Sequence, residues 1–183
     1  MTKIAIVGNI ASGKSCVEKF LAEKGLSVYD TDKIAHEILD KSEEAKRFFP
    51  QAVRNNKIDR RILASIVFND IEQKDKLEAI IHPQIIDFIK QLNESPVFVS
   101  VPLLFEVGME SLFDKIIFIS APKEIRLERL MKRNNLSRKD AELRINAQQE
   151  EDEKLKKADY VLINDSSTDK LKTDLEKVLA SIC

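Results

Sequence analysis

An α/β fold built on a parallel sheet is predicted by three features of this sequence. Five short apolar, β-branched segments recur along the chain, at residues 4–7, 27–29, 97–101, 115–120 and 160–163. Most are continuously apolar rather than alternating, as strands buried on both faces are. Helical patterns separate them, which suits crossover connections between parallel strands. The first segment also runs directly into GNIASGKS, residues 8 to 15, with an amphipathic helical pattern from Lys14 to about residue 24.

That octapeptide fits G-x-x-x-x-G-K-[ST], a loop that cradles phosphate between a strand and a helix. The chain has only four glycines, and Gly8 and Gly13 are two of them. Glycine tolerates the backbone angles that turn successive N–H groups toward one anion. The positive end of the following helix adds to the attraction. The loop, Gly8, Asn9, Ile10, Ala11, Ser12, Gly13, Lys14, Ser15 and Cys16, is therefore expected to bind a nucleoside triphosphate. Lys14 would reach the β- and γ-phosphates, and the Ser15 hydroxyl would ligate Mg²⁺. Gly25 is a natural left-handed stop for the first helix.

The second strand ends in Tyr29-Asp30-Thr31-Asp32. Carboxyl ends of strands face the ligand crevice in an open parallel sheet. One carboxylate there can serve as general base for an attacking hydroxyl while the other supports the metal shell. The competing reading is helix capping, and Asp32 can do both. More than sixty residues then precede the third strand, too many for one crossover. They hold helical patterns at 34–39, 43–48, 60–68 and 74–92, the last broken near Pro83, and read as a helical insert. Within them Asn56-Lys57-Ile58-Asp59 matches the guanine-reading N-K-x-D. It follows the polar stretch 51–55 rather than a buried strand and lacks a D-x-x-G partner, so guanine specificity is not expected.

The third strand leads into Pro102-Leu103-Leu104-Phe105-Glu106 without an Asp at its end, so the usual Walker-B residue is missing. Motor ATPases and GTPase switches need that residue, and its absence favours a small-molecule kinase. A second helical stretch, from 124 to about 157, is basic at first. Its Arg126, Arg129 and Arg133 stand at i, i+3 and i+7, on one helical face. Such a row can close over phosphates as a lid and stabilise charge on a transferring group. A solvated face paired with Glu124 and Glu128 is the alternative. The last helix is expected over 168–181. His36 and His82 have no partners at metal-ligand spacing and read as structural or substrate-facing.

With 183 residues the chain suits one domain with inserted segments. A net charge of −1 argues against a nucleic-acid partner. No apolar run reaches membrane-spanning length, and a strand beginning by residue 3 or 4 leaves no room for a signal peptide. Cys16 and Cys183 make no metal or disulfide framework, and Cys16 is expected to face the core. A cytoplasmic monomer is expected.

These residues resemble the dephospho-coenzyme A kinase family along nearly the whole chain. The ordered match includes GNIASGKS, the D-x-D of Asp30 and Asp32, I-D-R-R at 58–61 with Val67-Phe68, and His82-Pro83. It continues through VPLLFE at 101–106, R-L-x-R-L at 126–130, Arg144 and Gln148, and Ala158-Asp159 before Asn164. The resemblance implies a P-loop kinase core with a five-stranded parallel sheet, a helical substrate-binding insert and a helical lid. The implied core is 1–32 with 96–122 and 158–183, the insert 33–95 and the lid 123–157. It implies phosphoryl transfer from ATP, with Mg²⁺, to the ribose 3′-hydroxyl of dephospho-CoA. Asp32 would be the base, with Asp30, Arg60, Arg61, His82, Pro83 and Leu104 at the acceptor and Arg144 against ATP. Asn9 and Ala11 stand at two positions where the family carries glycine, which implies a stiffer loop. Arg126 stands where the family begins its lid with Gln. Another P-loop small-molecule kinase, or a nucleotide-gated binding protein, remains the alternative at this level.

Overall fold

A computed structural model describes residues 2–148 and 151–182. Cys183 lies outside the described residues. The strands are β1 (Lys3–Gly8), β2 (Ser27–Asp30), β3 (Val53–Arg54), β4 (Lys57–Ile58), β5 (Val97–Ser100), β6 (Lys115–Ser120) and β7 (Tyr160–Ile163). The helices are α1 (Lys14–Glu23), α2 (Thr31–Lys41), α3 (Glu43–Phe48), α4 (Arg60–Asn69), α5 (Ile71–Gln91), α6 (Lys123–Asn134), α7 (Arg138–Asn146), α8 (Glu151–Leu155) and α9 (Thr168–Ile182).

Five strands form one sheet in the order β2-β5-β1-β6-β7, and β1 is parallel to both β5 and β6. Ile6 sits between Ser100 and Ile117, and Gly8 lies opposite Ile119. β1 is thus central, buried on both sides, and delivers the chain to the loop at its carboxyl end. Ile4, Ile6, Phe98, Ile117 and Ile119 join Val17 and Leu21 of α1 and Leu171, Leu175 and Leu179 of α9 in one apolar cluster. The i, i+4, i+8 spacing of the three α9 leucines gives that helix its buried stripe. Each such side chain contributes about 1.5–3 kcal/mol on burial. Cys16 packs against the same cluster, as expected.

At the sheet edge the Asp159 carboxylate accepts from Lys115 Nζ and from the Ile116 N–H, each at 2.9 Å. Partial burial alone would raise the Asp159 carboxyl, but the two donors outweigh it and hold it below its usual range.

The chain divides into two compact units, Met1–Tyr29 with Asn93–Cys183, and Asp30–Leu92. The first carries the large sheet with α1 and α6 to α9. The second carries α2 to α5 and the β3–β4 pair. Among the described residues no helix is long and apolar enough to cross a membrane.

Several elements differ from expectation. Residues 53–58 form a small antiparallel hairpin, because Asn55 and Asn56 both take left-handed angles, φ 49° and 61°. Asparagine tolerates those angles, which a two-residue hairpin turn requires. Asp59 then caps α4 by accepting from the Arg61 and Ile62 N–H groups. The N-K-x-D tetrapeptide is therefore half a hairpin and a helix cap. Pro83 does not break α5, which runs through it for 21 residues. Buried Ile80, Ile81, Ile85 and Ile89 anchor the helix on both sides of the proline, and the Gln84 side chain donates to the Ile80 carbonyl at 2.8 Å. The basic stretch is three helices, since Asn135 closes α6 at φ 50° and Ser137 caps α7.

Candidate active site

The loop between β1 and α1 is shaped by two glycines for two different reasons. A side chain at Gly8 would come within 2.7 Å of the Ile119 carbonyl, so this position requires space. Gly13 holds φ 107° and a Cβ there would collide with the side-chain amide of Asn164. Ala11 also takes a left-handed angle, φ 61°, although it carries a side chain. The Ser12 N–H donates to the Asn9 carbonyl at 3.0 Å, closing the turn.

Asp30, Ser42, Asp59, Asp70 and Ser137 cap α2, α3, α4, α5 and α7 with their side chains, whereas α6, entered from Pro122, has no side-chain cap. α1 has none, and no acidic residue in its first turn. Apart from the Cys16 N–H, which donates to the Gly13 carbonyl at 2.9 Å, its first N–H groups point out of a positive helix end. This leaves an anion seat at the mouth of the loop.

The rest of the first unit grips this loop. The buried Asn9 side chain donates to Glu151 at 3.1 Å and accepts from Lys154 at 3.2 Å. Glu151 also pairs with Arg126 at 3.3 Å and accepts from the Ser120 hydroxyl, while Lys154 pairs with Glu106 at 2.6 Å. The two cations and two carboxylates balance, the condition for holding charge at low exposure. Gln148 accepts from the Ile10 N–H at 2.7 Å. The Ser12 carbonyl accepts from Asn164 at 2.8 Å and from Arg129 at 3.3 Å, and Arg129 also donates to Asn164. Ile10 and Ala11 pack against Leu127, Leu130, Ala141 and Ile145.

The arginine row is thereby divided. Arg126 is buried, donating to the Ala121 carbonyl and paired with Glu151. Arg129 lies against the loop. Arg133 is exposed and donates to neighbouring Asn134. Arg144 is exposed in the last turn of α7. Leu104, expected at the acceptor, is wholly buried in the core, because the turn after β5 folds inward there.

Lys14 does not extend into solvent. Its ammonium donates to Glu18 at 3.1 Å and to the Ser100 hydroxyl at 2.7 Å, and Ser100 donates to Glu18 at 2.6 Å. Ser15 is exposed on the same first turn, and its hydroxyl makes no hydrogen bond among the described residues. No group of three or more His, Cys, Asp or Glu that could hold a metal ion occurs among the described residues. A cation here would accordingly be shared between Ser15, phosphate oxygens and water, a donor set that suits magnesium.

In the second unit Asp30, not Asp32, caps α2, accepting from the Asp32 N–H at 2.9 Å. The Asp32 side chain is exposed on the first turn. Arg60 pairs with Asp40 at 3.2 Å, and Arg61 is exposed beside it at the start of α4. His82 is half-buried and Pro83 exposed, midway along α5. Asp32, Arg60 with Arg61, and His82 with Pro83 lie on α2, α4 and α5, while Asp30 ends β2. An open groove of about 500 Å³ runs between α2 and α5, lined by Ile34, Ile38, Lys41, Gln84, Phe88 and Gln91.

Sequence reading did not single out Glu18, Ser100, Glu151 or Lys154. Glu18 could have been found from its i+4 spacing to Lys14. The other three reach the loop only through the fold.

The dephospho-CoA kinase family model matches residues 2–170. A dephospho-CoA kinase from Fusobacterium nucleatum is 41% identical over 188 residues, covering 98% of this chain and 97% of its own length. The crystal structure of TT1252 from Thermus thermophilus is similar at 41% identity and a TM-score of 0.86, covering 100% of this chain and 98% of that one. The dephospho-CoA kinase from Campylobacter jejuni is 36% identical with a TM-score of 0.74, covering 98% and 96%. A phosphate loop on the central strand of a five-stranded parallel sheet, in a chain matched this far along its length, places it: this chain belongs to the dephospho-CoA kinase family.

Proposed function

We propose that this chain transfers the γ-phosphoryl group of ATP to the ribose 3′-hydroxyl of dephospho-CoA, giving coenzyme A and ADP. The observation that carries the reading is the uncapped α1 behind a glycine-shaped loop, in a chain of this family. An inactive nucleotide-binding protein of the same fold is disfavoured by the family's catalytic identity, and a different small-molecule acceptor by the long match through the insert.

The unit Asp30–Leu92 supplies the acceptor site in this reading, with Asp30, Arg60, Arg61, His82 and Pro83 near the substrate. The stretch 123–157 acts as the lid. There is little covalent work for the protein in phosphoryl transfer, so positioning and charge neutralisation dominate. The first-turn N–H groups of α1 and the Lys14 ammonium receive the phosphates. Lys14 exchanges its contacts with Glu18 and Ser100 for phosphate oxygens. Mg²⁺, held by Ser15, would neutralise charge on the β- and γ-phosphates. Asp32 takes the proton of the attacking hydroxyl. Arg129, and Arg133 on the exposed face of α6, supply positive charge as the group transfers. Arg126 contributes by holding Glu151 and thus the loop. Lid closure excludes water that would hydrolyse ATP. The reading includes a monomer working in the cytoplasm with Cys16 unpaired.

Release of ADP, measured with dephospho-CoA, AMP, shikimate or no acceptor, tests the assignment. Fast release only with dephospho-CoA is expected. Equal rates with AMP or shikimate would overturn the substrate assignment.

A further inference from the structure

β5 ends in Ser100, where phosphate-loop NTPases place the acidic residue that supports their magnesium. A carboxylate nevertheless stands at that spot, brought there by another element. Glu18, one turn along α1 from Lys14, accepts from the Ser100 hydroxyl at 2.6 Å and from the Lys14 ammonium at 3.1 Å. The single Ser100 proton goes to Glu18, and its lone pairs receive Lys14 at 2.7 Å. The Lys14 and Glu18 side chains are each only 18% exposed, so their charges are poorly screened. Glu18 also lies three residues beyond Ser15, a helical neighbour of the hydroxyl expected to face the metal.

We propose that Glu18 is a positioning residue of the nucleotide site: from α1 it supplies the carboxylate that β5 lacks, first as counter-ion to Lys14 and then, once phosphate draws Lys14 away, toward the hydrated divalent cation. The inference rests on the nucleotide-site reading above. Its consequence is a coupling between metal and nucleotide. A carboxylate beside a triphosphate repels it, and the same carboxylate beside a divalent cation attracts that cation. Glu18 therefore weakens binding of metal-free ATP and strengthens binding of the magnesium complex. A residue that merely braced Lys14 would favour ATP in both conditions, so the two roles differ in sign without metal.

The test is the dissociation constant of a fluorescent ATP analogue, measured with Mg²⁺ and with EDTA. The proteins are the native chain, Glu18→Gln, Glu18→Ala, and Glu18→Ala combined with Ser100→Asp. Glu18→Gln keeps an acceptor for Ser100 and removes only the charge, so the melting temperature should hold. The enhancement of binding by Mg²⁺ should fall about tenfold in both single variants, with metal-free binding tighter than in the native chain. Ser100→Asp, which returns a carboxylate to β5, should restore the enhancement. An unchanged enhancement in Glu18→Gln, equal weakening with and without Mg²⁺, or no restoration by Ser100→Asp would each overturn the proposal. Failure of the native chain itself to bind the analogue would instead overturn the nucleotide-site reading.

Discussion

Asp30 and Asp32 differ by two positions and, in this structure, by task. Asp30 has extended backbone angles, φ −117° and ψ 113°, and its side chain receives the Asp32 N–H. That geometry makes Asp30 the N-cap of α2. The D-x-D spacing was visible in the sequence, but which aspartate caps was not, because a residue's backbone angles at a helix entry are set by where the strand before it ends. Two variants separate the roles. Asp30→Ala should lower stability by about 1 kcal/mol, the usual value of an N-cap, read as a lower melting temperature. Asn is nearly isosteric with Asp, so Asp32→Asn should move the melting temperature little and lower kcat by about 10² or more, with ATP binding intact. A stable Asp32→Asn protein turning over at the native rate would remove Asp32 from the role of base. Arg126 shows the same limit of sequence reading. Its charge was evident, but its partner Glu151 lies on another helix and is reached only through the fold.

At the scale of elements, the strand–loop–helix at the amino end was the most legible part of the chain, because its residues are contiguous and each position has a local physical reason. The hairpin of 53–58 was missed because its strands are two residues each, too short to show alternation. The continuity of α5 through Pro83 was missed because a local rule, the lost N–H of proline, was outweighed by apolar anchors on both sides. The loop glycines give a prediction at this scale. Gly13→Ala combines left-handed strain of roughly 1–3 kcal/mol with a collision against Asn164, the residue that holds the Ser12 carbonyl. It should lose both stability and nucleotide binding. Gly25 is also left-handed, at φ 77°, but nothing lies within 4 Å of a Cβ there. Gly25→Ala should cost only about 1–2 kcal/mol and bind ATP normally. Thermal melts and nucleotide titrations check the pair, and equal losses of ATP binding in both would contradict the loop account.

For the molecule as a whole, the sequence pattern was enough for the α/β class, the five strands of the sheet and the presence of a long helical segment between the second and fifth strands. The chain divides into Met1–Tyr29 with Asn93–Cys183 and Asp30–Leu92, the second unit holding the stretch that the sequence pattern reads as a helical insert. The charged network joining Asn9, Arg126, Glu151, Lys154 and Glu106 was not legible, since its members come from four separate places along the chain and meet only when the loop after β1, the segment after β5, α6 and α8 are assembled. The most direct test of the central claim is the identity of the phosphorylated product. The chain is incubated with dephospho-CoA and ATP labelled at the γ-phosphate, and the product is resolved by mass and by phosphorus NMR. The account predicts label on the ribose 3′-oxygen of coenzyme A, formed in equal amount with ADP. Label found only in inorganic phosphate, or at any other hydroxyl, would contradict it.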